Sequence, residues 1–343
     1  MDVKFIDASS WQETFWFQSG GTREKHILQD ENDDLWFFKR SERKAGKNNQ
    51  EKYYKDEFWS EIIAYQIGTL LKLNVLRYDV ATSKGEIGCI SRSMIKRDNE
   101  QLVEVGRYMV TFNPQFIPEK NETRNEYTYQ LLENTLQHFA LGKYKRDFIQ
   151  TLIFDALIGN SDRHQENWAF ISDSFNSEED VDIEPMLARI QKEGDFKYNE
   201  ALINREFELR KLNIREMAPI YDSGSSLGRE LTEDKINKML KDNQMMEAYI
   251  RRGTSELHGG DKRKIQHFDL IRQFKQSVDK DEFERTTVFL NNWDLQKVDE
   301  IINNIDNVLP EKHSFYKLSA SRKELILKLL TLRYKTITTI INE

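Results

Sequence analysis

Residues 159–171 read GNSDRHQENWAFI and residues 218–227 read APIYDSGSSL. The first stretch leaves an apolar, helix-like run at 147–158, presents Asp162 and then Asn167 five positions later, and ends in the strand-like residues 168–171. The second is a short apolar run, 218–221, that delivers Asp222 just ahead of Ser223 and Gly224. A carboxylate at the end of a buried strand, with a glycine behind it to allow a tight turn, is well placed to hold a metal ion. An Asp and an Asn at this spacing arise by chance about once in a chain of this length. The weight of the pair therefore comes from its flanking elements and from the second stretch.

Working outward, the first third predicts strands around one helix. An aromatic run at 15–17 precedes a turn at Ser19, Gly20 and Gly21, and residues 35–38 form a short apolar strand that ends in Lys39. Residues 40–57 are polar and charge-dense and read as a solvated loop. Over 57–73 the apolar spacing predicts a helix with one broad buried face, followed by strands at 75–82 and 87–95 joined by a Lys84-Gly85 turn. From about residue 97 the pattern turns helical, with helices predicted at 127–139 and 147–158. The segment 173–216 holds twelve acidic and seven basic residues and so supplies most of the net charge of −7; its periodic part, 200–212, reads as a charged surface helix. Near the end, Leu295, Val298, Ile302, Ile305 and Leu309 form one helical stripe that Pro310 stops. Ser321 and Glu324 read as a capping box for a last helix that buries Leu325, Leu329 and Leu332. There is no internal repeat.

The fold class expected is α+β in two lobes: a small β-rich N-lobe with one helix over 1–96, and a large, mostly helical C-lobe over 97–343 that carries the acid-rich insertion 173–216. With 343 residues, 38% of them hydrophobic and 11% aromatic, the chain can fill two such cores. The charge balance gives no basic excess to bind nucleic acid through its phosphates, and no DNA-binding domain is expected. One cysteine, Cys89, excludes an internal disulfide framework and a cysteine-rich zinc site, and reads as a small buried hydrophobe. The N-terminus MDVKFIDASS lacks the pattern of a secretory leader, and no run approaches the ~18 apolar residues of a membrane span. A cytoplasmic protein is expected, with delivery into another cell as an effector left open.

Phosphoryl transfer needs a base that positions the attacking hydroxyl, and groups that fix a metal between the phosphates. In kinases these are an Asp, an Asn five residues later, and the Asp of a D-x-G turn. Asp162, Asn167 and Asp222 meet that pattern. A lysine at a strand end followed by a helix bearing a glutamate meets another part of it, with Glu57 and Glu61 both candidates as the partner of Lys39. Gly20-Gly21 serves equally as a phosphate loop or a plain hairpin turn.

On GNSDRHQENWAF, APIYDSGSSL and WSEIIAYQIGTLLKLNV (59–75), the chain resembles the HipA-like serine/threonine kinases, in particular their shorter, CtkA-like branch. The resemblance implies ATP and Mg2+ as cofactors and a protein substrate. It implies Asp162 as catalytic base, Asn167 and Asp222 as magnesium ligands, and His164 against the phosphates. Lys39 would contact the α- and β-phosphates, with Glu61 holding it by an ion pair. Ser19, Gly20, Gly21 and Thr22 would form the phosphate loop, where Ser19 or Thr22 is expected to accept a self-inhibiting phosphate, and Ser91, Arg92 and Ser93 the adenine-binding hinge. The pattern departs at Glu166, where many members have Lys, and in the long gap between Asn167 and Asp222. Fewer than twenty residues precede Ser19, against the antitoxin-binding subdomain of the longer members, so the resemblance does not carry an antitoxin-like partner over to this chain as an expectation. The other readings are a kinase-fold enzyme acting on a lipid or small molecule, and a pseudokinase that only binds partners.

Overall fold

In chain order, the first part of the computed structural model runs β1 (Phe5–Asp7), β2 (Gln12–Glu13), β3 (His26–Gln29), β4 (Leu35–Arg40), β5 (Arg43–Ala45), β6 (Glu51–Tyr53), α1 (Glu57–Leu70), β7 (Asp79–Ser83) and β8 (Glu86–Arg92). The structure describes residues 2–14, 25–41, 43–45, 51–175, 184, 188 and 200–343. Six strands form one sheet in the order β1-β7-β8-β4-β3-β2, with β1 and β7 parallel and the other neighbours antiparallel. Lys84 (φ 50) and Gly85 (φ 81) make the β7–β8 hairpin turn, in which two successive left-handed residues match the twist of the strands. Side chains alternate along β4. Phe38 joins Ala8, Leu28, Ala81 and Ile90 in a small cluster on one face, while Phe37 and Lys39 look the other way into a cleft.

Helix α1 packs against this sheet on one side and against the C-lobe on the other, so Phe58, Trp59, Ile62, Ile63 and Ile67 are all at most 2% exposed. It stops where Lys72 adopts left-handed backbone (φ 61). The polar stretch 40–57 is not simply a loop: β5 and β6 pair there as an antiparallel ribbon. A two-stranded ribbon held by backbone hydrogen bonds needs no apolar alternation, and so leaves no periodic signal in the sequence.

The second part runs β9 (Gln101–Glu104), α2 (Val105–Phe112), α3 (Tyr129–His138), α4 (Lys145–Ile158), β10 (Ala169–Phe175), α5 (Glu200–Arg210), β11 (Leu212–Met217), α6 (Glu233–Lys241), α7 (Asn243–Arg252), β12 (Thr254–His258), β13 (Lys264–Gln266), α8 (His267–Ser277), α9 (Lys280–Thr287), α10 (Leu295–Asn304) and α11 (Ala320–Asn342). Strands β9, β10 and β11 form an antiparallel sheet in the order β11-β10-β9. Helix α4 is apolar on nearly every side and lies at the centre of the lobe, packed by α8, α9 and α11. Its C-terminal end and the start of β10 flank the first sequence stretch quoted above.

Three local expectations change. Helix α5 is solvated on one side only: Asn204, Arg205 and Glu208 are exposed, but Glu206 is fully buried, bonding His138 at 2.6 Å and Arg210 at 2.8 Å, because α5 is laid against α2 and the end of α3. The last helix is capped by Ser319, whose Oγ accepts from Arg322 N at 3.1 Å, while Ser321 donates to Glu233. Leu295 is 48% exposed, so the C-terminal stripe begins in effect at Val298. Among the described residues no helix is long and apolar enough to cross a membrane.

Candidate active site

Lys39 sits opposite Cys89 in the β4–β8 ladder. The strands approach so closely here that a Cβ on Gly88 would lie 2.0 Å from the Lys39 carbonyl oxygen, so only glycine fits. The Lys39 ammonium meets Glu61 Oε1 at 3.2 Å, Asp222 Oδ1 at 2.9 Å and the Tyr78 hydroxyl at 3.5 Å. Burial alone would pull its pKa down. The Asp222 and Glu61 carboxylates outweigh that and hold it well above the ordinary lysine range, so the group stays charged. Glu57, the rival to Glu61, is paired instead with Arg229.

The loop that carries Asp162 is built from the end of α4. Gly159 (φ 71) closes the helix in left-handed backbone, and Asn160 folds back so that its N–H and side-chain amide both reach Asp155 at 2.9 Å. Arg163, 1% exposed, grips the Asp155 carboxylate with two bonds of 2.9 Å. The same guanidinium donates to the carbonyls of Asn167 (3.3 Å) and Tyr221 and to Ser223 Oγ (3.3 Å), tying the Asp162–Asn167 loop to the Asp222 turn. Burial opposes the charge on Arg163, but Asp155 overrides it and the pKa lies above the usual arginine value. Asn167 donates its side-chain N–H to the Asp162 carbonyl at 2.7 Å, and Asp162 Oδ2 accepts from Ser225 Oγ at 3.2 Å.

Asp222 itself has left-handed backbone (φ 58), so the turn is made at the aspartate and not at the glycine two residues on. Asp is one of the few residues with a side chain that visits this region routinely. The conformation is held by Ser223 N–H, which donates to Glu61 Oε2 at 2.8 Å, so Glu61 binds the lysine with one oxygen and the Asp222 turn with the other. Among the described residues no three His, Cys, Asp or Glu side chains converge on a metal position. Asp222 and the Asn167 amide oxygen offer two hard oxygen donors on segments fastened together by Arg163. That set fits Mg2+, which takes one or two protein oxygens and completes its shell with phosphate and water.

Beside Lys39 opens a cleft of about 420 Å3, walled by Phe37, Leu76, Tyr78, Met94, Ile95, Leu102 and Tyr221, with Lys25, Glu104, Arg107 and Glu166 among its polar lining. Ser91, Arg92 and Ser93 line it too, and the wall continues past them through Met94, Ile95, Gln101 and Leu102. Burial and the nearby Glu166 charge push the Glu104 carboxyl above the usual glutamate range. The His164 side chain is not part of the lining; its Nδ1 accepts from Glu166 N at 3.4 Å and caps a short turn at Gln165–Asn167. Ser19, Gly20, Gly21 and Thr22 lie outside the described residues.

The structure thus brings Lys39, Glu61 and Asp222 into one network, and Asp162 and Asn167 onto one loop sewn to it. Sequence reasoning missed Arg163, Asp155, Ser225, Tyr78 and Tyr221. Arg163 stands inside the quoted stretch, and a charged residue between an apolar helix and an apolar strand was the available signal. No protein-family model matches the chain, and no curated protein matches its sequence. Among solved structures, the Helicobacter pylori proinflammatory kinase CtkA matches with a TM-score of 0.68 and 20% identity, over 98% of this chain and 97% of that one. HipA of Shewanella oneidensis MR-1, in its complex with HipB and operator DNA, matches with a TM-score of 0.51 and 11% identity, over 95% of this chain and 67% of that one. The chain therefore has the two-lobed, HipA-like kinase fold, in the compact form that CtkA displays along its whole length.

Proposed function

We propose that the protein is a Mg2+- and ATP-dependent kinase that phosphorylates serine or threonine in a protein substrate, with Asp162 as base. The observation that carries this reading is Lys39. One buried ammonium on the wall of the cleft is held by a helix glutamate and by the aspartate of the turn just beyond the Val75–Ile220 bridge, an arrangement that suits phosphoryl transfer. The apolar walls of the cleft suit an adenine ring, and Lys39 supplies a fixed positive charge for the phosphates. Asn167 and Asp222 would hold the metal, which neutralises charge on the transferring group. Asp162 would accept the proton of the attacking hydroxyl as the new bond to the γ-phosphorus forms and ADP leaves.

The test is transfer of labelled γ-phosphate from ATP to a degenerate serine/threonine peptide pool. Asp162→Asn should lower turnover by about 10²- to 10⁴-fold while an ATP analogue still binds within a few-fold. Retention of more than about a tenth of wild-type turnover would show that Asp162 is not the base. The same reading includes self-phosphorylation at Ser19 or Thr22, where added negative charge would compete with the ATP phosphates. Intact-mass measurement after incubation with Mg-ATP, with Asp162→Asn as control, reads that directly.

A further inference from the structure

Residues 223–227 run beside the end of α4 and the loop beyond it, and are sewn to them at three points. Leu227 N–H donates to the Ile158 carbonyl at 2.9 Å, Ser161 N–H to the Ser225 carbonyl at 3.3 Å, and Ser225 Oγ–H to Asp162 Oδ2 at 3.2 Å. Ser225 is 8% exposed, and its neighbour Ser226 is fixed in turn, donating to the Ser223 carbonyl at 2.7 Å and accepting at its own carbonyl from Ser60 Oγ at 3.2 Å. The hydroxyl that reaches Asp162 is thus mounted on a braced segment that begins at the Asp222 turn.

We infer that Ser225 is a positioning residue for Asp162. This rests on the kinase reading above. The χ2 torsion of an aspartate is soft and two-fold, so nothing within the side chain itself fixes the plane of its carboxylate. A hydrogen bond to one oxygen fixes that plane and directs the other oxygen to the incoming hydroxyl. Because Ser225 lies three residues beyond Asp222, the orientation of the base is set by the segment that carries the metal ligand as well as by its own loop. Loss of the hydroxyl should then impair the chemical step and spare nucleotide binding, since misorientation of a catalytic group costs rate and not ground-state affinity.

The experiment compares Ser225→Ala and Ser225→Thr with wild type in the peptide-pool assay, alongside ATP-analogue binding and thermal melting. Ser225→Ala should lose about 10- to 100-fold in kcat, with KM for ATP and analogue affinity within about three-fold and an unchanged melting temperature. Ser225→Thr, which keeps the hydroxyl, should return to within about three-fold of wild type. An alanine variant with wild-type kcat overturns the role, as does one that loses analogue affinity in parallel or a folded threonine variant as slow as alanine. Phosphate found on Ser225 by mass spectrometry would make it an acceptor and equally end the positioning role. A wild-type protein that transfers no phosphate, indistinguishable from Asp162→Asn, would remove the kinase reading and this role with it.

Discussion

Glu57 and Glu61 stand one turn apart on α1 and have different partners: Glu57 pairs with Arg229, and Glu61 bridges Lys39 and the Ser223 amide. Spacing alone left the two open, because residues four apart share a helix face and only the facing strand decides which reaches Lys39. Since Lys39 and Glu61 share one network with the Asp222 turn, their removal should not be additive. Single alanine variants and the double variant should show kcat/KM losses within about three-fold of one another. Losses that multiply would mean that the two act separately. The quoted stretches singled out Asp162, Asn167 and Asp222 from their place near apolar runs, and the structure lays them on two neighbouring segments tied by Arg163. Ser225 and Tyr221 were not legible, since a serine and a tyrosine near a turn look the same whether they brace a site or face water.

Helix α5 shows where periodicity misleads at the scale of an element. Its charges suggested a solvated face, yet Glu206 is fully buried between His138 on α3 and Arg210 one turn along its own helix, and the side chain of an acid cannot announce in one dimension that a partner lies on another helix. Burial tends to raise the Glu206 pKa, but the bonds from His138 and Arg210 prevail and hold it below the usual glutamate range. A depressed carboxylate contributes stability above its unfolded pKa, about 4.3, that is lost as pH falls through the lower folded value. In urea titrations Glu206→Gln should therefore destabilise the protein clearly at pH 7 and less as the pH is taken below about 4. A difference that stayed constant down to acid pH would mean that the carboxylate charge contributes nothing. The strand, helix and hairpin-turn expectations around β4, β7, β8, α1 and α4 held because each has apolar spacing of its own, whereas the β5–β6 ribbon and the Ser319 cap rest on backbone bonding that spacing does not encode.

At the scale of the whole molecule, α1 belongs mechanically to both lobes. It packs on the sheet, yet Trp59 Nε1 donates to the Tyr316 carbonyl at 2.8 Å, Ser60 to the Ser226 carbonyl, Glu57 pairs with Arg229, and Asp56 at its start meets Arg322 at 3.3 Å. None of these pairings, all more than 150 residues apart in sequence, could be read without the fold. Cleft closure on a nucleotide should thus move the sheet over a stationary α1. Hydrogen exchange with and without an ATP analogue should show added protection in β3 and β4 and none in α1; protection gained equally in α1 would show that the helix moves with the sheet.

Arg322 has a wider reach than that one pair. From the first turn of α11 its guanidinium also donates to the carbonyls of Gly228 (2.7 Å) and Leu231 (2.6 Å), just beyond the Asp222 turn, and Arg333, about three turns further along α11, donates to the Ala156 carbonyl at 3.0 Å, beneath the Asp162 loop. The segments that carry Asp162 and Asp222 are therefore pinned by a helix of 23 residues that follows both in sequence. Lobes generally fold in the order of synthesis. Here the N-lobe sheet can form from residues made early, whereas the segments around Asp162 and Asp222 gain these pins only once α11 has been made and docks, so the two settle together in one late step of folding.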